Sequence, residues 1–168
     1  RVWTPTDERL AETVADLTEA ALSRARLHDE QHAVLVRFQE TLLTAPATVD
    51  GLDAAVGYQP ALGAIGMGGD WYSVVDTADR AYAVVGDVVG HGPAAIAVMA
   101  EVKTILRHLL TGGTSIGDAL DEAERSLRRR ATFASATIVE IDKRRPVLRY
   151  VNAGHPPALL ASATGVER

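Results

Sequence analysis

Two aspartates, Asp70 and Asp87, stand near the ends of the largely apolar stretch GGDWYSVVDTADRAYAVVGDVVGHG, each with glycine beside it. If the polar segment DTADR is a hairpin turn centred between Ala78 and Asp79, both aspartates are equally far from the centre. Antiparallel pairing then sets them opposite each other on one face, with Cβ atoms about 5 Å apart. Two like charges so placed destabilise a hairpin unless solvent, a shared proton or a cation compensates. The neighbouring glycines weigh towards the cation, because they clear side chains from beside the carboxylates and let a backbone carbonyl approach. Such oxygen donors suit a hard ion, Mg²⁺ or Mn²⁺. Carboxylates, a carbonyl and waters around one or two such ions make a site for phosphoryl chemistry. Solvation alone stays open as the reading in which the pair has no task.

The elements that must position this pair follow from pattern. Residues 6–44 contain no glycine and no proline and consist largely of helix formers, which predicts one long helix with Thr6 as N-cap, Asp7 and Glu8 in its first turn and Pro46 just past its end. Leu10, Val14, Leu17 and Ala21 form an apolar seam that Leu35, Phe38 and Leu42 continue, interrupted by Arg24, His28 and Gln31. So long a helix with a broken seam reads as a linker that pairs with a second copy as a coiled coil, or as a helix half-buried under a domain. A second part begins near Val49. LDAAVGYQPA suggests a strand, GAIGMGG a loop with Gly63, Gly66, Gly68 and Gly69 free to take positive φ, and residues 71–75 and 82–86 two strands. After Gly92 and Pro93 a helix is predicted to about Leu110, with Val98, Val102, Ile105 and Leu109 on its apolar face and Glu101, Thr104, His108 and Thr111 on another. Ser115 and Asp118 form an S-x-x-D cap for a helix burying Ile116, Leu120, Ala123 and Leu127. SATIVEI and VLRYVN are strands joined by the turn DKRRP, and PALLA is a short last strand. Hairpins around two consecutive helices give an α+β layered domain.

The totals limit the alternatives. With 168 residues and 47% apolar side chains the chain can bury a core as one domain. No cysteine is present, so neither disulfides nor thiolate metal sites are available. A formal charge of −5 argues against nucleic acid as a partner. The basic run Arg128, Arg129 and Arg130 sits at a predicted helix end, where it complements the helix dipole. No apolar run spans a bilayer and the first residues have no secretory character, so a cytoplasmic location without membrane contact is expected. GDVVGHG lacks a P-loop lysine and the dinucleotide-binding spacing, which sets nucleotide binding aside.

GGDWYSVV, GDVVGHG and VNAGHPP, in this order and separation, resemble the motifs of metal-dependent protein serine/threonine phosphatases of the PPM type, in the RsbU/SpoIIE-like bacterial branch. FQETLLTAPATVDGLDAAVGYQPA resembles the beginning of that domain, so the likeness covers about residues 36–160. RVWTPTDERLAETVADLTEAALSRARL is similar to the last strand and helix of a GAF sensor domain. The resemblance implies two domains, residues 1–48 as GAF tail and linker helix and residues 49–168 as the first part of the phosphatase domain. It implies a layered α-β-β-α sandwich of antiparallel sheets, here partial and preceded by the long N-terminal helix. Asp87 would bridge two Mn²⁺ or Mg²⁺ ions, the Val88 carbonyl would bind one of them, and Asp70 would bind directly or through water. The reaction implied is in-line attack of an activated water on a phosphoserine or phosphothreonine, without a phosphoenzyme. The usual substrate of this branch is a phosphorylated anti-anti-sigma factor, a STAS-domain protein, and the N-terminal helix would make the protein a homodimer.

His155 falls where relatives carry an aspartate near the metals, and with His91 it is expected at the rim of the site. The catalytic histidine of eukaryotic relatives lies at another offset from the bridging aspartate, so His91 keeps a turn-stabilising or helix-capping role as its alternative. His28, His32 and His108 read as helix-surface residues, and Trp71 and Tyr72 as core and sheet residues. Ser73 stands where the family usually has a second aspartate, in GGDWYD. A DGL-type motif and a final aspartate that complete the family's metal shell are not found, since Glu167 is the only carboxylate side chain after Asp142. The chain is therefore expected to be C-terminally truncated and a poor catalyst by itself. A degenerate, non-catalytic phosphatase fold that passes on a signal by helix pairing is the competing expectation.

Overall fold

The computed structural model describes residues 3–43, 48–59, 68–162 and 165–167. The chain divides into two compact units, Arg1–Phe38 and Gln39–Arg168. The first unit is the greater part of α1 (Pro5–Leu42). Its cap is Thr4 rather than Thr6: the Thr4 amide and hydroxyl both donate to Asp7 Oδ2, at 2.9 and 2.6 Å, and the Asp7 amide donates back to Thr4 Oγ1. Pro5 then takes the first helical position, where its missing N–H costs nothing. Leu10, Val14 and Leu17 are exposed along the helix. The seam positions Leu35 and Phe38 lie outside the described side chains, and Gly63, Gly66 and Pro46 outside the described residues.

The second unit is built on a four-stranded antiparallel meander, β1 (Trp71–Asp76), β2 (Arg80–Val88), β3 (Ala134–Asp142) and β4 (Val147–Ala153), in that spatial order. Two helices, α2 (Pro93–Thr111) and α3 (Ile116–Arg129), intervene between β2 and β3. β5 (Leu160–Ser162) and β6 (Gly165–Glu167) form a separate two-stranded ribbon, of which the sequence signalled only the first strand. Alternation along the strands gives the meander two unlike faces. Trp71, Val75, Tyr82, Val84, Val88, Ala136 and Ile138 are buried together with the inner residues of α2. On the other face Val85, Leu148 and Tyr150 are exposed.

The α2 stripe is rotated from the expected one. Ala95, Ile96, Met99, Val102, Lys103, Leu106 and Leu110 are buried, whereas Val98, Ile105 and Leu109 are only half-buried. Helix α2 packs on both β1 and α3, so its covered arc is wide and includes Lys103. Glu101, expected on an outer face, turns to α3 and bonds Ser126 and Arg130. Ser115 caps α3 as the S-x-x-D pattern requires, accepting from the Asp118 amide at 3.2 Å. Ala119 and Ser126 are buried with Ile116, Ala123 and Leu127, while Leu120 stays half-exposed.

The strand expected in LDAAVGYQPA does not form among its described residues; Val49 and Leu52 close a tight turn through Gly51 at φ 78°, and residues 53–59 run without regular structure. A strand needs a ladder partner, and no described segment supplies one there. The end of α1 is tied instead. No basic residue lies in its last turn. Lys103 of α2 donates to the Leu42 carbonyl, and the Tyr72 hydroxyl of β1 donates to the Leu43 carbonyl at 2.8 Å. The Lys103 ammonium also sits 5.7 Å from the Tyr72 ring centroid. Burial, with Arg107 nearby, pushes the Lys103 pKa below its ordinary value.

Candidate active site

The hairpin carries the register read from its symmetry. Pairing runs from Trp71 opposite Gly86 to Asp76 opposite Ala81, which centres the turn between Ala78 and Asp79. The Val88 amide donates to the Gly69 carbonyl at 3.2 Å, so the same register continues past the strand end and sets Asp70 against Asp87. Their electrostatics agree with that placement. Burial raises the Asp87 pKa, the Asp70 charge and a hydrogen bond with Asp70 raise it further, and His155 opposes the shift.

Two glycines make this close approach possible. A Cβ on Gly69 would overlap the Val88 carbonyl oxygen, and one on Gly86 would overlap the Trp71 ring. Gly69 thus lets the two segments of the hairpin meet below the aspartates, and Gly86 lets the indole cross β2 beneath them. Both carboxylates are exposed at the end of the sheet face that α2 leaves open. An open groove of about 370 Å³ runs from there between residues 55–59 and the sheet, lined also by Asp70, Tyr72, Val85 and His155.

The loop after β4 brings His155 to the same end. Gly154 takes φ 72° and bridges to Ala136. Asn152 holds the loop at both sides, accepting from the His155 amide at 3.0 Å and donating to the His155 carbonyl at 2.6 Å. The imidazole Nδ1 lies 2.8 Å from Ser135 Oγ, and Ser135 is the ladder partner of Asp87. Ser135 escaped the sequence reading because nothing local marks a serine inside a strand; only the β2 to β3 register places it beside Asp87. His91 is bridged through its backbone to Gly68, and its side chain is exposed.

Oxygen donors facing each other at like charge, with glycine clearing the approach, fit a hard divalent cation. Among the described residues no group of three or more His, Asp or Glu side chains converges as a metal site, so the pair makes a partial shell.

The family model described as Stage II sporulation protein E (SpoIIE) matches residues 77–168, more than half of the chain. The chain belongs to the SpoIIE family. The span shared with SpoIIE includes Asp87, Ser135 and His155, while Asp70 precedes it. Phosphoserine phosphatase RsbP of Bacillus subtilis is 28% identical over 109 residues, which are 60% of this chain and 27% of RsbP. A crystal structure of the RsbU and RsbW domains of Rv1364c from Mycobacterium tuberculosis is 37% identical, with a TM-score of 0.52 over 55% of this chain and 27% of that one. The α+β fold is that of the PPM-type, RsbU/SpoIIE-like phosphatases. The chain spans only 27% of the length of each of these two relatives.

Proposed function

We propose that the protein hydrolyses phosphoserine or phosphothreonine on a regulatory protein in sigma-factor signalling, with Asp70 and Asp87 as the acidic centre. The facing of these two carboxylates at the open end of the β1 to β2 hairpin carries the reading. Asp87, Asp70 and the Val88 carbonyl would hold Mn²⁺ or Mg²⁺. When bound, such ions acidify a water and stabilise charge on the entering and leaving oxygens of an in-line displacement. The chain's own part is to hold the carboxylates at fixed separation and to keep the groove open beside them. A phosphorylated STAS-domain protein is the proposed substrate; the likeness to phosphoserine phosphatase RsbP supports the reaction class. The test is manganese-dependent hydrolysis of a phosphoserine peptide by the full-length protein. Asp87→Asn is expected to abolish it, and undiminished turnover in that variant would end the proposal.

The exposed seam of Leu10, Val14 and Leu17 supports pairing of α1 with a second copy. Sedimentation should show a dimer that becomes a monomer when residues 6–34 are removed; a monomer at high concentration with the helix intact would contradict it. A non-catalytic regulator is the second reading, favoured by the absence of a third acidic side chain beside the pair among the described residues. Metal-dependent turnover that Asp87→Asn removes decides against it.

A further inference from the structure

Ser135 and His155 are braced as a unit beside the aspartates, and nothing in the two-carboxylate reading uses them. Three constraints converge on His155 and the residue after it, one of them on the imidazole. Ser135 engages Nδ1 at 2.8 Å, Asn152 fixes the His155 amide and carbonyl, and Thr137 Oγ1 donates to the following Pro156 carbonyl at 3.3 Å. Ser135 and Thr137 face Asp87 and Val85 across the β2 to β3 ladder, so the open sheet face itself holds the ring. With Nδ1 engaged, Nε2 is the nitrogen left to the groove that His155 lines with Asp70. If Nε2 carries the hydrogen, Nδ1 accepts from the Ser135 hydroxyl.

We propose that His155, oriented by Ser135, contacts the substrate's phosphoryl group through Nε2–H. Phosphoryl oxygens only accept hydrogen bonds, and a donor fixed at the mouth of a carboxylate pair is what an anion needs to settle there. His155 is then a substrate-contacting residue and Ser135 a positioning residue. This rests on the phosphatase reading above.

The experiment has two arms. Long-range ¹H–¹⁵N spectra of the metal-free full-length protein should show His155 in the Nε2–H tautomer, and Ser135→Ala should shift the tautomer balance; a proton on Nδ1 in the wild type would overturn the assignment. In phosphoserine-peptide hydrolysis with Mn²⁺, His155→Ala and Ser135→Ala should lower kcat/KM about 10- to 100-fold, the range for losing one hydrogen bond to a charged group. Most of that loss should appear as raised KM, and Ser135→Thr should restore most of it. Loss in kcat at unchanged KM would mean that no contact is made with the bound substrate, and would overturn the proposal. If Asp87→Asn abolishes turnover while both alanine variants keep wild-type kcat/KM, the histidine contact fails and the phosphatase reading stands. If Asp87→Asn leaves turnover undiminished, both fall together.

Discussion

At the scale of single residues, the Asp70 and Asp87 pair opposes the stability of the metal-free fold. Because the native Asp87 carboxyl binds its proton more tightly than in the unfolded chain, stability from this group falls as pH rises from the ordinary carboxylate value of 3.8 to the raised native one. Above that window the penalty is fully present. Asp87→Asn should therefore stabilise the chelator-treated protein at neutral pH by about 0.5 kcal/mol, from removing one of two facing like charges, or about 1–2 °C in Tm. Mn²⁺ should raise the Tm of the wild type and leave the variant unmoved. Differential scanning calorimetry with EDTA and with Mn²⁺ checks both; a variant less stable than wild type in EDTA would contradict the account. The pair itself was legible in the sequence because equal spacing from a turn centre needs only local counting. Ser135 was not, since it sits 48 positions beyond Asp87 and reaches it through a ladder that two helices precede.

At the scale of elements, the hairpin register depends on residues without side chains. The Trp71 ring occupies the space over Gly86, so Gly86→Ala forces either the indole or β2 to move. The cost should be about 1–3 kcal/mol, as for other overpacked cores, measured as a lower urea midpoint at unchanged slope. Gly69→Ala should add a loss of metal affinity, because the displaced Val88 carbonyl borders the aspartates. Helix and strand positions were readable because caps, glycine breaks and alternation are local signals. The expected strand in residues 53–59 failed for the opposite reason: pairing, not composition, makes a strand. The α2 face was misread because a helix covered by both a sheet and a second helix buries a wider arc than a single seam suggests.

At the scale of the whole molecule, the end of α1 is held by two groups distant in sequence, Lys103 and Tyr72. Tyr72 lies two residues from Asp70, which immediately precedes β1, so the side chain that holds the Leu43 carbonyl is close in sequence to one of the acidic residues. Lys103→Met keeps the buried stem but removes the donor, and should cost about 1–2 kcal/mol of stability. Hydrogen exchange should quicken at residues 41–43 while α3 stays protected; unchanged exchange there would show that the contact holds nothing. Neither partner was foreseen from the sequence, where Lys103 lies within an apolar helix and Tyr72 reads as an ordinary sheet residue.

The indole that crosses Gly86 has an optical consequence. The chain has two tryptophans, Trp3, which is 65% exposed, and Trp71, which is 2% exposed and adjoins Asp70. Replacing Trp3 with phenylalanine leaves a single tryptophan, in an apolar setting next in sequence to Asp70. Its emission should be blue-shifted, and quenching by added Mn²⁺ would report ion arrival at the carboxylates without any substrate present.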